Sequence, residues 1–112
     1  MGVGENGLFV ECIVWRYNRV LIISFRHKGL EVFYRTGTTR GIQVAHAKKL
    51  RRILGLLDVA TSHVDLNIPA FRLHPLKGDL AEYWSIYVNG NWRVIFRFKG
   101  QDVELVNYLD YH

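Results

Sequence analysis

Cysteine is nearly absent from this chain. Cys12 stands alone among 112 residues, so no internal disulfide can form and no thiolate pair exists from which to begin a zinc site. Acidic residues are scarce as well: 10 Asp and Glu against 15 Lys and Arg leave a net charge of +5. They form no cluster of the kind that holds Mg²⁺. No stretch approaches about 18 consecutive apolar residues, so a membrane span is not expected. The N-terminus has no basic start followed by an apolar core and a small-residue cleavage site. Secretion is therefore unsupported, and the cytoplasm is the expected compartment. These absences exclude a disulfide scaffold, a zinc finger, a multidomain enzyme and a dinucleotide-binding Rossmann unit. What is present suits one folded domain: 49% of the residues are hydrophobic, and three Trp, six Tyr and six Phe argue against disorder.

Residues 1–20 differ from the rest. Gly2, Gly4 and Gly7 make a permissive start, and Leu8 to Tyr17 reads as a short strand or an apolar tail. Glu5 and Glu11 cancel Arg16 and Arg19, so the whole +5 sits on residues 21–112. The segment is expected to be an extra edge strand, a stretch upstream of a true start near Val20 or Leu21, or an appendage with a role of its own. The chain accordingly divides into an extension, 1–20, and a domain, 21–112.

Along that domain, Leu21 to Phe25 suits a buried strand by its β-branched content. Leu30 to Arg35 can make two helical turns stopped by Gly37. Val44 to Ala60 is the clearest helix, with Ala47, Leu50, Ile53, Leu54, Leu57 and Ala60 recurring at three- and four-residue steps. After Asp79 the period changes to two. Trp84, Ile86 and Val88 alternate with Tyr83, Ser85 and Tyr87; Trp92, Val94, Phe96 and Phe98 alternate with Arg93, Ile95 and Arg97; Val103 to Tyr108 closes an antiparallel meander. A three-residue loop, Asn89 to Asn91, would pair Val88 with Trp92, Ile86 with Val94 and Trp84 with Phe96, keeping one face wholly apolar. The other face would then be open, aromatic and basic, carrying Tyr83, Ser85, Tyr87, Arg93 and Arg97.

Several residues on this frame suit chemistry on a phosphate. His74 and Lys77 lie in a connector braced by Pro75 and Gly78; Arg93 follows Trp92 directly after the hairpin turn; Asp110, Tyr111 and His112 end the last strand. Taken singly, each is ordinary surface chemistry. Arg offers a planar fork for a phosphate, and His can exchange a proton near neutral pH. Tyr111 offers a ring for base stacking or a hydroxyl for a phosphate. Lys48, Lys49, Arg51 and Arg52 form a basic run that could track a nucleic-acid backbone. His27 and His46 have no partner at a useful spacing, and no histidine pair has a metal-ligand spacing, so neither metal nor cofactor is expected. Cations, a histidine and a tyrosine without an acidic cluster suit metal-free RNA cleavage. There the ribose 2′-OH attacks its own phosphate, a base removes its proton, an acid protonates the departing 5′-oxygen, and Arg or Lys takes up the developing charge.

The stretch LHPLKGDLAEYWSIYVNGNWRVIFRF, the earlier SFRHKGLEVFYRTG and the closing VELVNYLDYH resemble the HigB toxins, a branch of the RelE/ParE superfamily of type II toxin–antitoxin systems, from about Leu21 to His112. The resemblance implies an α+β fold, a small, mostly antiparallel twisted sheet with two helices packed on one side. It also implies a ribosome-dependent mRNA interferase that cuts the message in the A site of the 70S ribosome and so inhibits translation. Its expected partners are a HigA-like helix-turn-helix antitoxin and the ribosome with its mRNA, with operator DNA met only indirectly through the antitoxin; plasmid maintenance is an expected role. Matched by motif, catalytic duties fall to His74, Lys77, Arg93, Asp110, Tyr111 and His112, and RNA contacts are expected from Tyr87, Arg97, Lys48, Lys49, Arg51 and Arg52. Many relatives place a further arginine just before N-W-R, where this chain has Tyr87 and Asn89; Arg97 is expected to compensate in part. Two other readings stand beside this one: a ParE-like inhibitor of DNA gyrase, and a non-catalytic relative that binds only RNA or its antitoxin.

Overall fold

The period-two pattern from Trp84 onward becomes three long antiparallel strands. The computed structural model describes residues 22–110; the expectations for residues 1–20, for Leu21, and for Tyr111 and His112 lie outside the described residues. Strand β1 is the short pair His74–Pro75, β2 is Trp84–Asn89, β3 is Trp92–Lys99 and β4 is Asp102–Asp110. They lie in the order β1-β2-β3-β4, each antiparallel to its neighbours.

The β2–β3 hairpin keeps the expected pairs Trp84 with Phe96 and Ile86 with Val94, but closes differently. Asn89, not Val88, stands opposite Trp92, and Val88 is the extra residue of a bulge. Gly90 supplies a positive φ of 54° for a tight two-residue turn. The bulge absorbs the residue that a longer loop would have held, so Val88 still reaches the core. The helix-side face is apolar as expected: Ile86, Val94 and Phe96 are fully buried. The opposite face is open only at one end. Tyr83, Ser85 and Ile95 are buried, while Tyr87 and Arg93 remain partly exposed.

Strand β4 carries a second bulge. Ile95 pairs with Asn107, but Arg97 pairs with Glu104, so Leu105 and Val106 together face one residue of β3. Leu105 takes a left-handed conformation there, with φ 56°. Its amide is recovered by Ser24, whose Oγ accepts it at 2.8 Å. The apolar run containing Ser24 lies parallel to β4 through bridges of Ile22 to Val103 and Phe25 to Val106. It forms an isolated ladder rather than the full strand its composition suggests.

Helix α1, Lys28–Thr36, begins where the His27 side chain accepts the Leu30 amide at 2.9 Å and ends at Gly37 in the left-handed region. Helix α2 is Ala47–Leu57, shorter than the expected 44–60 at both ends: past Leu57 the amides of Val59 and Ala60 both turn back to the Leu56 carbonyl, and Val44–His46 forms a separate 3₁₀ turn. That turn directs His46 into the protein, where it is buried. Leu50, Ile53, Leu54 and Leu57 form the stripe that packs on the sheet. Each such burial stabilises by about 1.5–3 kcal/mol, which outweighs the ~1 kcal/mol cost of Gly55 within the helix. Between α2 and β1 the chain makes two further 3₁₀ turns, His63–Leu66 and Pro69–Phe71, the second ending on Arg72. Among the described residues no helix is long and apolar enough to cross a membrane.

Candidate active site

The antiparallel order brings the start of β1, the end of β2, the start of β3 and the end of β4 to one end of the sheet. His74 stands opposite Ser85, Tyr87 opposite Arg93, and Trp92 opposite Asp110. Directly paired residues share a face. His74, Ser85, Tyr87 and Arg93 therefore share the outer face, whereas Asp110 starts from the helix-side face with Trp92. At ~4.8 Å per step, the backbones of β1 and β4 are about 14 Å apart.

Tyr87 is the centre of this end. The Arg72 guanidinium carbon lies 4.2 Å from its ring centroid, the Lys49 ammonium 4.7 Å and the Arg93 guanidinium carbon 4.9 Å. The Tyr87 hydroxyl accepts the Gly90 amide at 3.1 Å, so the hairpin turn fixes the ring. Arg93 donates through Nη1 to the carbonyls of Gly90 at 2.9 Å and Trp92 at 3.0 Å, leaving Nε and Nη2 for a ligand. Lys49 donates to the Ala70 carbonyl at 2.9 Å. None of the three cations has a carboxylate partner among the described residues. Partial burial, and then the charges of Arg72 and Arg52, push the Lys49 ammonium below its ordinary pKa. A bound anion would relieve that crowding.

His74 is exposed, and its Nδ1 lies 2.9 Å from the Arg72 carbonyl oxygen. A carbonyl can only accept, so Nδ1 carries a proton and Nε2 is the nitrogen left for proton exchange. Lys77 is exposed at the entry to the 3₁₀ turn Gly78–Leu80. Asp110 is exposed at the end of β4; Tyr111 and His112, which follow it, lie outside the described residues. Among the described residues no three His, Cys, Asp or Glu side chains converge as a metal would require.

Other expected contacts separate from this group. Arg97 is engaged by Glu104 at 2.6 Å and Glu82 at 3.1 Å. Two carboxylates satisfy its fork, so the expectation that it shares in a phosphate clamp loses its physical basis. The basic run of α2 splits by helical position. Arg51 stacks over Phe33 of α1, while Lys48, Lys49 and Arg52 line a shallow groove with Ala45 and Ala70. Two features escaped the sequence reading. Arg72 has no periodic signal, because it sits in a turn. His46 looks like an unremarkable helix-start residue, yet its Nδ1 lies 2.7 Å from the Tyr108 hydroxyl, beneath Trp92, which stacks on Tyr108 at 4.5 Å.

Comparison with known proteins identifies the family. The model of the family described as the RelE-like toxin of type II toxin–antitoxin system HigB matches residues 23–112. The chain belongs to the HigB toxin family. It is 42% identical over 92 residues to the Endoribonuclease HigB of Proteus vulgaris, covering 82% of this chain and all of that one. It is 37% identical over 94 residues to Toxin HigB-1 of Vibrio cholerae, covering 82% of this chain and 98% of the relative. Among solved structures it is similar to a YoeB/ParE toxin from Agrobacterium tumefaciens, with a TM-score of 0.53 at 19% identity, covering 83% of this chain and all of that one. It is also similar to YafQ from Escherichia coli, with a TM-score of 0.50 at 14% identity, covering 80% and 91%. At these identities the likeness concerns the fold, and it agrees with the expected α+β architecture of two helices on an antiparallel sheet. As a type II toxin, this HigB-family chain has an antitoxin as its partner.

Proposed function

We propose that this chain is a metal-free endoribonuclease that cuts messenger RNA in the A site of a translating 70S ribosome and so arrests translation. The observation that carries this reading is the set of cations around Tyr87, none with a carboxylate partner among the described residues, on the sheet end that also holds His74. It is a site for a phosphate diester beside a group that can move a proton. The relative named Endoribonuclease HigB supports RNA as the substrate.

The 2′-oxygen attacks the adjacent phosphorus, the bond to the 5′-oxygen breaks, and a cyclic phosphate and a 5′-hydroxyl result. Arg93, held through Nη1 by the turn, uses its remaining donors to take up charge on the phosphate oxygens. Lys77 adds a second positive charge. His112 is the first choice for proton transfer and His74, through Nε2, the second; Asp110 and Tyr111 support them. The substrate supplies the nucleophile, so no Ser or Cys is required and DNA would not react. With few catalytic groups, the enzyme depends on the ribosome to align oxygen, phosphorus and leaving group. The antitoxin is a HigA-like helix-turn-helix protein, through which alone the toxin meets operator DNA.

The test is a reconstituted translation reaction with a defined message, followed by mapping of the new 5′ ends. Cleavage at A-site codons is expected, faster than on naked RNA, and a single 2′-deoxyribose before the scissile phosphate should abolish it. An intact message combined with inhibited gyrase supercoiling would replace this reading with gyrase inhibition. An intact message with gyrase unaffected would leave a binding protein.

A further inference from the structure

We propose that Arg72 is an RNA phosphate-binding residue, the third arm of a cradle that it forms with Lys49 and Arg93 around the Tyr87 ring. The proposal deepens the endoribonuclease reading and rests on it for the identity of the anion. Three observations lead to Arg72 independently.

The first is its backbone. Arg72 is one of two non-glycine residues with positive φ among those described, at φ 45° and ψ 45°. Such a conformation costs of order 1 kcal/mol for a residue with a Cβ, and strain of this kind concentrates at functional sites. The fold itself asks only for the conformation, which glycine would supply without strain. The arginine side chain is what the strain retains.

The second is what the strained turn achieves. It points the Arg72 carbonyl at Nδ1 of His74, 2.9 Å away, while the side chain lies against the Tyr87 ring at 4.2 Å, nearer than either other cation. One residue thus sets the proton-bearing nitrogen of the histidine and places a guanidinium on the ring beside Arg93.

The third is charge. Arg72, Lys49 and Arg93 come from a turn, a helix and a strand, and all three meet one ring. Each lies within 4.9 Å of the ring centroid, so no two are farther apart than about one Debye length, roughly 8–10 Å, and they repel one another in ordinary salt. Elsewhere on the described surface Arg35 and Arg97 have carboxylates within 3.3 Å, whereas this trio has none. The Tyr87 ring face offsets part of the repulsion. A phosphate diester, with its single delocalised negative charge and two free oxygens, offsets the rest and matches the planar fork of Arg72.

The test uses the full chain and a 2′-O-methyl oligoribonucleotide, which cannot be cleaved, with binding followed by fluorescence anisotropy across a salt series. Losing one phosphate contact to a single strand should make the slope of log affinity against log salt shallower by about 0.7. Arg72→Gly keeps the backbone conformation and removes only the side chain. It should show that shallower slope and roughly tenfold weaker binding at low salt, with a melting temperature equal to or above wild type. Arg72→Lys should recover the slope but only part of the affinity, since an ammonium lacks the fork. Arg35→Ala, distant and ion-paired, should leave the slope as it is. An unchanged slope in Arg72→Gly, or an equal loss in Arg35→Ala, would overturn the proposal. Because the probe is never cut, a failure of the cleavage reading appears separately, as an intact message in translation with the Arg72 contact still measurable.

Discussion

The Tyr108 hydroxyl lies 2.7 Å from Nδ1 of His46 and receives the Gln43 amide at 3.4 Å. The hydroxyl thus joins the Gln43 amide to the imidazole, and burial lowers the His46 pKa and so favours its neutral form. This buried bond ties β4, two residues before Asp110, to the turn that starts α2. Trp92, the neighbour of Arg93, stacks on the same tyrosine. The end of the sheet that carries the proposed site thus rests on an aromatic and polar plug.

Removing the hydroxyl should be costly. Tyr108→Phe leaves His46 Nδ1 and the Gln43 amide without a partner, and should destabilise the protein by about 1–3 kcal/mol in urea unfolding. A change below a few tenths would mean that water replaces the hydroxyl.

Acid should act on the same plug. Burial lowers the pKa of both His46 and His27 below the ordinary histidine value. The unfolded chain takes up these protons near about pH 6.5 and the folded chain only at lower pH, so stability falls as pH drops below about 6.5. The melting temperature should decline between about pH 7 and pH 5, with a smaller decline in His46→Leu. A melting temperature that stays level or rises in wild type over that range would contradict the assignment.

Arg93 and Lys77 should separate by severity. Arg93→Ala removes a contact strongest in the transition state, so single-turnover cleavage should fall roughly 10²–10³-fold while binding weakens much less. Lys77→Ala should be milder, because its ammonium is exposed and lacks a bidentate fork. Equal losses in rate and affinity for Arg93→Ala would make it a binding residue only.

The two histidines can be told apart by pH–rate profiles on defined ribosome complexes. His112→Ala should lose one limb of the wild-type profile, whereas His74→Ala should lower the rate with the limb retained. If His112→Ala keeps both rate and profile, proton transfer passes to His74, whose Nδ1 is already committed to the Arg72 carbonyl.

Two glycines should respond with opposite sign. A Cβ on Gly29 would collide with the Gly41 carbonyl oxygen, backbone against backbone. Gly29→Ala should cost about 1–3 kcal/mol or more. Gly55, in mid-helix, has nothing within 4 Å of the same position, so Gly55→Ala should stabilise by about 1 kcal/mol. A matching sign for the two would mean that the close approach of residues 29 and 41 relaxes freely.

Much of the frame was legible in the sequence because side-chain period and burial are the same information. The alternation from Trp84 to Phe98 specified the buried face, and the three- and four-residue steps from Ala47 to Leu57 specified the stripe of α2. The bulges at Val88 and Leu105 were not legible, since each inserts one residue without altering composition. At the site, motif residues such as His74 and Arg93 stood out by type and neighbours. Arg72 did not: its position over Tyr87 depends on a left-handed turn after Pro69–Phe71, which no local pattern announces. Arg97 erred the other way. Its alternation was right, but no local pattern shows that Glu82 and Glu104 both reach it.

The extra residue in β4 makes that strand run in two phases. Val103 is buried with an odd number, Val106 and Tyr108 with even ones, so each half of the strand keeps its own alternation. The first half packs beside Ile22, and the second carries Tyr108 to His46 and Asp110 to the sheet end. Deleting a single residue around Leu105 would put the two halves back in step. Tyr108 would then count in phase with Val103 and still face its histidine, and Asp110 would keep its side. The bulge is thus a spare place in the frame: the strand can lose that one residue and keep both faces, at the cost of the bond between the Leu105 amide and Ser24.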